Sequence, residues 1–348
     1  MNKYEDTIEE VRRQLKLDYR SSIFDVRVEP RGTRLSILGV TTVPQALEAL
    51  IEKLAETKDK KYIKDEVQRL PEAGTTGEAH LVVRAAVAPV YGDPALPAPQ
   101  ISQAVLGTRL DLLARTRDWC RVRLEDGYLR WVHRGYLQFG DRDWAYSWER
   151  ATRGEPAVSL GAELVDEAGR VFARLPWGAR CVRFSQELYE LPDGRRGAIG
   201  SGEIVAVDRL ADWFPPRGDS VTRTARRWIG APYLWGGVTT GGVDCSGFVQ
   251  AVFWLHGVAM PRDSDMQSHM GDQIETGKDY NDLCPGDLLF FSETPARVSH
   301  VAISLGGPHI VHSALTNGGV DVNDMTGDQE LEVRLRGVFT RAQRVLPD

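Results

Sequence analysis

Cysteine is scarce in this chain of 348 residues: the four present, Cys120, Cys181, Cys245 and Cys284, lie far apart. No two stand at the C-x-x-C spacing of a metal site, so neither a metal nor another cofactor is expected. A set this sparse fits a reducing compartment rather than a disulfide framework. Long apolar runs are also missing; none approaches the roughly 20 residues that a bilayer-crossing helix needs. Positive charge is in deficit, with 43 Lys and Arg against 49 Asp and Glu, a net charge of -6. That balance argues against nucleic acid or an anionic membrane surface as the main partner. The opening residues Met1-Asn2-Lys3-Tyr4-Glu5-Asp6 have neither the basic flank nor the apolar core of a secretion signal, so a cytoplasmic location is expected. Glycine and proline, by contrast, are plentiful, 34 and 18, and point to many turns. The length suggests about two to four domains.

Residues 1–76 read as a small α+β domain. Ile8, Val11, Arg12 and Leu15 share one helical face, Phe24 to Val28 and Leu35 to Val40 read as strands around Pro30-Arg31-Gly32, and a second helix is expected from Val43 to Lys58. Pro44 is tolerated in that helix's first turn. A solvated run, Lys58 to Lys61, and a short strand near Val67 follow. No chemistry is expected in this domain. From 77 to 140 the period shifts to two, as in Trp119-Cys120-Arg121-Val122-Arg123-Leu124, and Asp126-Gly127 supplies a tight hairpin turn. Residues 141–156 form a polar linker that Trp144 and Trp148 pin to a neighbouring surface. Residues 157–216 repeat the β pattern more loosely, with Leu191-Pro192-Asp193-Gly194 echoing Leu124-Glu125-Asp126-Gly127. Both segments resemble bacterial SH3-like (SH3b) barrels, the hairpin Asp126-Gly127-Tyr128-Leu129-Arg130-Trp131-Val132 most closely. Cys120 and Cys181 alternate with apolar neighbours and belong in barrel cores. Residues 217–348 open with a helix through Ala225 to Ile229 and continue as an α+β unit.

In that last unit Phe248, Val249, Val252, Phe253 and Leu255 recur at helical spacing behind Asp244-Cys245-Ser246-Gly247, and Gly257 closes the helix. Cys245 therefore sits in a first helical turn, where the N–H groups and the helix dipole favour a thiolate and lower the thiol pKa. A cysteine nucleophile also needs a base and a group to orient it. Among seven histidines, His300 opens the strand Val301 to Leu305 and His312 lies in the next strand, close enough to stand beside it. His309, three residues from His312, falls on the other face and reads as exposed. His80, His133, His256 and His269 lie in surface-like contexts or on other elements. Cys284 and Asp287, in Cys284-Pro285-Gly286-Asp287, read as turn residues with structural roles.

Four blocks, Asp244-Cys245-Ser246-Gly247, Pro285-Gly286-Asp287-Leu288-Leu289-Phe290-Phe291, His300-Val301-Ala302-Ile303 and Ile310-Val311-His312-Ser313, resemble the NlpC/P60 family in order and spacing. The resemblance implies a papain-like cysteine peptidase of bacterial cell-wall peptides. Cys245 would be its nucleophile, His300 its base and His312 the residue orienting His300, with Tyr233 near the oxyanion. The whole arrangement, an α+β multidomain chain ending in an NlpC/P60 domain, resembles the YkfC-like γ-D-glutamyl-L-diamino acid endopeptidases. These cut free wall peptides with an unblocked N-terminal L-Ala after the γ-linked D-Glu, which implies a murein peptide as partner. Asp263 and Ser264 match the segment that holds the substrate amine, and Tyr128 matches a tyrosine reaching over the cleft, with Tyr136 as its alternative. Asp244 and Ser246 flank the nucleophile and are expected at the substrate.

Ser264-x-x-Gln267 also reads as a capping box. The group's acidic residue before Gln103-Ala104-Val105-Leu106-Gly107 is absent, and Asp93 is a candidate substitute. Two other functions stay open at this stage: an exported wall-remodelling D,L-endopeptidase, and a non-catalytic SH3b protein that binds wall peptides. Neither meso-diaminopimelate nor Lys is favoured as the third substrate residue.

Overall fold

Alternating apolar residues drive the first unit of the computed structural model, which describes residues 4–56, 62–72, 80–148, 154–294 and 297–347. Strands Phe24–Arg31 and Arg34–Thr41 pair antiparallel, turning Phe24, Val26 and Val28 inward, and Tyr62–Arg69 adds parallel to the second. A parallel neighbour needs a crossover, which the Pro44–Ala55 helix supplies. The strand expected near Val67 is thus eight residues long. The second helix stops at Ala55, short of the expected Lys58; Lys58 to Lys61 lie outside the described residues. In the first helix, Glu5–Gln14, Ile8 and Val11 are buried. Leu15, expected on that face, falls beyond the helix end and is exposed.

Residues His80 to Gly140 form a seven-stranded antiparallel sheet around Leu81, Val83, Val90, Leu110, Val122 and Val132. Gly127 takes φ +85° in its hairpin turn, a conformation that glycine adopts without a side-chain clash. A second seven-stranded sheet runs from Glu155 to Ala206. Cys120 and Cys181 are buried in the two cores, as their alternation predicts. The segment expected as a polar linker contains the Arg142–Ser147 helix, whose N-cap Asp141 accepts from the Trp144 N–H at 2.7 Å. Beyond that helix, buried Trp148 packs with Val82 of the first sheet and Val182 of the second, so this segment joins the two β-units through their apolar surfaces.

The remaining residues are α+β. A helix spans Gly218–Arg226, several residues earlier than the periodicity suggested, and residues 227–230 form a turn in which Trp228 is buried. The Cys245–Leu255 helix buries Val249, Val252 and Phe253 against Val301, Ile303 and Val311 of a six-stranded antiparallel sheet. In that sheet Leu288–Phe291, His300–Gly306, His309–Ala314 and Gly319–Asp324 are successive neighbours. Asp287 is buried in the turn before the first of these strands. Its carboxylate accepts from Arg344 through two 2.9 Å bonds and from the Cys284 N–H at 2.7 Å.

Candidate active site

The helix that carries Cys245 starts where it does because Asp244 caps it. Asp244 is extended, with φ -92° and ψ 176°, and its Oδ1 accepts from the Gly247 N–H at 2.7 Å. Its Oδ2 accepts from the Gly236 N–H at 2.8 Å. Gly247 is required in this turn: a Cβ there would meet the Gly237 carbonyl oxygen at 2.1 Å. Arg262, fully enclosed, donates to both Asp244 oxygens at 3.0 and 2.6 Å and to the Oγ atoms of Ser246 and Ser102 at 3.0 and 2.9 Å. Ser102 belongs to the first β-unit, so one guanidinium ties that unit to the start of the Cys245 helix. Asp244 and Ser246, expected at the substrate, line the cleft, yet their polar atoms are occupied by this network.

The two histidines meet across adjacent strands. His300 Nε2 lies 2.7 Å from His312 Nδ1, and His312 Nε2 lies 2.9 Å from Asn323 Oδ1. Asn317 Nδ2 donates to the same Asn323 oxygen at 2.8 Å. An amide oxygen only accepts, so the proton of neutral His312 is on Nε2 and its Nδ1 accepts. His300 must then donate from Nε2, which leaves its Nδ1 as the unprotonated, basic atom. The Val301 N–H, one residue on from His300, donates toward the Cys245 sulfur. His309 is exposed, as expected, whereas His256 is buried. His256 donates from Nδ1 to the Pro215 carbonyl at 2.8 Å, and its Nε2 accepts from Thr224 Oγ1 at 2.9 Å.

The protonation of the pair differs from the sequence expectation. Burial, and then the adjacent Asp244 carboxylate, push the Cys245 thiol up to about 12, outweighing the donors at the helix start. Burial, followed by the neighbouring His312, holds His300 well below its ordinary value. Both shifts favour the uncharged thiol and the uncharged imidazole. Half-buried Tyr233 lies near Cys245, and burial followed by the Cys245 and Asp244 charges raises its hydroxyl to about 12, so it remains a donor.

A cleft of about 1450 Å³ opens onto Cys245, and three units build it: Arg12 and Tyr19 come from the first, Asp93 and Tyr128 from the first β-unit, Cys245 and Asp263 from the last. Neither His300 nor Tyr233 forms part of its lining. In the lining of the same cleft, Tyr128 Oη donates to Asp263 Oδ2 at 3.2 Å. Burial, reinforced by the Asp263 carboxylate, raises Tyr128 to about 12 and keeps that hydroxyl protonated. Tyr136 lies elsewhere, edge-on to His133. Ser264 is the first residue of the short Ser264–Gln267 helix and lines the cleft; Asp263 occupies the N-cap position. The capping box is not formed, because the Gln267 amide donates instead to the carbonyls of Ser246 and Pro261 at 3.0 and 2.7 Å.

The first unit, where no chemistry was expected, reaches this cleft. Arg20 donates from Nη1 to Asp263 Oδ2 at 3.0 Å and to Asp265 Oδ1 at 2.7 Å. Arg20, Arg262, Asn317 and Asn323 are the site residues that sequence reasoning missed. Asn323 alone had a usable signal, since it alternates onto one face of a strand next to His312.

Residues 230–335 match the NlpC/P60 family and residues 86–138 match the bacterial SH3 domain. Over 266 residues the chain is 26% identical to a gamma-D-glutamyl-L-lysine dipeptidyl-peptidase of Bacillus cereus, covering 71% of this chain and 75% of that relative. A protein of the same name from Bacillus subtilis is 36% identical over 112 residues, which span 31% of this chain and 36% of the relative. The crystal structure of an NlpC/P60 family protein from Bacillus cereus shares the fold, with a TM-score of 0.63 at 21% identity, covering 77% of this chain and all of that one, 100%. The chain thus carries a domain of the NlpC/P60 family of cysteine peptidases over residues 230–335, preceded by a bacterial SH3 domain over residues 86–138.

Proposed function

We propose that this enzyme hydrolyses the bond between γ-linked D-Glu and a following diamino acid in cell-wall peptides that carry a free N-terminal L-Ala. The observation that carries the reading is one cleft holding both Cys245 and the Asp263 carboxylate, with Tyr128 bonded to the latter. A peptide whose ammonium met Asp263 would be held by its end, with Ser264 alongside. The names of the Bacillus relatives favour Lys as the third residue. The four free cysteines suit a cytoplasmic setting, where released wall peptides would be recycled.

His300 Nδ1 takes the thiol proton as Cys245 Sγ attacks the γ-carbonyl carbon. His312, anchored by Asn323, keeps the imidazole in the tautomer this transfer needs. The oxyanion is held by the Cys245 N–H and the Tyr233 hydroxyl, each such donor typically worth about 3 kcal/mol in the transition state. The C–N bond breaks as protonated His300 returns its proton to the leaving amine. Water, deprotonated by the same nitrogen, then releases L-Ala-γ-D-Glu and restores the thiol. Because thiol and imidazole start neutral, proton transfer accompanies attack rather than preceding it.

The reading is tested by incubating the protein with L-Ala-γ-D-Glu-L-Lys and identifying products by mass spectrometry. Release of L-Ala-D-Glu and free Lys is expected. Cleavage at the L-Ala bond, or no cleavage, contradicts it.

A further inference from the structure

Arg20 lies between the Glu5–Gln14 helix and the Phe24–Arg31 strand, 243 residues before Asp263 in sequence, yet its guanidinium bonds Asp18, Asp263 and Asp265, all of which line the cleft. Only 7% of the residue is exposed. Its Nε and Nη2 are spent on Asp18, at 2.9 and 2.6 Å, and its Nη1 bridges Asp263 and Asp265. Its backbone carbonyl accepts from the Leu129 N–H at 2.7 Å, next to Tyr128. The residue is thus held from both ends, by its side chain and its main chain.

The geometry at Asp263 gives that anchoring a consequence. Arg20 and Tyr128 both donate to Oδ2, and among the described residues no hydrogen bond engages Oδ1. We infer that Arg20 is a positioning residue which, with Tyr128, pins Asp263 by one oxygen and aims the other at the substrate ammonium, making the first unit a working part of specificity for a free amino terminus. This rests on the proposed function. A flexible plug that left when substrate arrived would not have both its side chain and its carbonyl tied into the frame. An unpinned Asp263 would have to be ordered by each substrate at the moment of binding, which weakens binding without touching the chemistry at Cys245. Asp265 shares Arg20 with Asp263 and also meets Arg297, at 3.3 Å, so it is compensated separately.

Steady-state kinetics of the full chain and of Arg20→Met, Arg20→Lys and Asp263→Asn, on L-Ala-γ-D-Glu-L-Lys and its N-acetylated form, test the inference. Arg20→Met is expected to raise KM for the free peptide about tenfold, change kcat by less than about threefold, and reduce the preference for the free over the acetylated peptide. Arg20→Lys, which keeps a cation but loses the fork, should recover part of the KM. Thermal unfolding confirms that each variant is folded, and for Arg20→Met a failure to fold leaves Arg20→Lys to carry the comparison. A KM that stays the same in both folded Arg20 variants, or that falls as expected of a plug, overturns the inference. If Asp263→Asn raises KM while the Arg20 variants do not, Arg20 alone is misassigned. If wild type fails to distinguish the two peptides and Asp263→Asn has no effect, the reading of the site is what fails.

Discussion

The shifts of Cys245 and His300 both favour the uncharged forms, and two expectations follow. The thiol is displaced upward to about 12, so at neutral pH little thiolate exists in the free protein. Iodoacetamide should therefore modify the exposed Cys284 before Cys245 at pH 7, with Cys245 labelling rising steadily as the pH is raised toward about 12; peptide mapping by mass spectrometry reads the order. Preferential labelling of Cys245 at pH 7 would indicate a thiolate–imidazolium pair instead. Since His300 is held below its ordinary value of 6.5, the base stays unprotonated and kcat/KM should persist below pH 6.5 before it declines. Replacing Cys245 with Ala is expected to lower kcat by about 10⁴-fold or more. His312→Ala should impair turnover as well, because His300 then loses the acceptor that fixes its tautomer.

Among the elements, the Cys245–Leu255 helix depends most on what stands at its start. Asp244 caps it and neutralises Arg262, and both side chains are almost wholly buried, at 9% and 2% exposure. Removing one partner leaves an uncompensated buried charge, so Asp244→Ala and Arg262→Ala should each cost about 3–5 kcal/mol in urea unfolding. The double variant should cost clearly less than their sum, since both singles break the same pair. Additive losses would show that the two residues act separately. The helix itself was legible in the sequence through its apolar spacing, and Asp244-Cys245-Ser246-Gly247 marked its beginning. The clash that demands Gly247 was not, because it depends on the Gly237 backbone passing alongside. His300 and His312 were legible as strand neighbours because each opens or follows a plain apolar strand around a Gly306-Gly307 turn. The upward thiol shift was not legible, since helix position alone says nothing of how deeply the sulfur is enclosed.

At the scale of the whole molecule, the site belongs to three units, and that is where sequence reading had least to offer. Period-two patterning revealed the β-units, but the chain gives no local sign that Arg20 meets Asp263 or that Arg262 meets Ser102. Such pairs are fixed by docking, as is the role of Trp148, whose segment looked like a polar connector. Docking also buries titratable groups. His256 and His312 are buried and His300 is half-buried, and all three have pKa values lowered, chiefly by burial. Below pH 6.5 the unfolded chain takes up protons that the folded state refuses, so ν_U exceeds ν_N and stability falls as pH falls through that region. Thermal unfolding should accordingly shift downward between pH 6.5 and 5, and the shift should shrink when His256 is replaced by Gln, which can keep a donor and an acceptor. Cys245 acts in the opposite sense: its stabilising neutral form is present below about 9 and lost as pH rises toward about 12.

The proposed function requires this cleft to read a free peptide amine while Cys245 attacks two residues along. The ratio of kcat/KM for L-Ala-γ-D-Glu-L-Lys to that for its N-acetylated form tests it most directly, with Cys245→Ala as the blank. Acetylation leaves the Asp263 carboxylate without its ammonium, at a cost of about 2–3 kcal/mol, so the free peptide should be favoured by about 100-fold. Equal rates on the two peptides, or hydrolysis surviving in Cys245→Ala, would contradict the account.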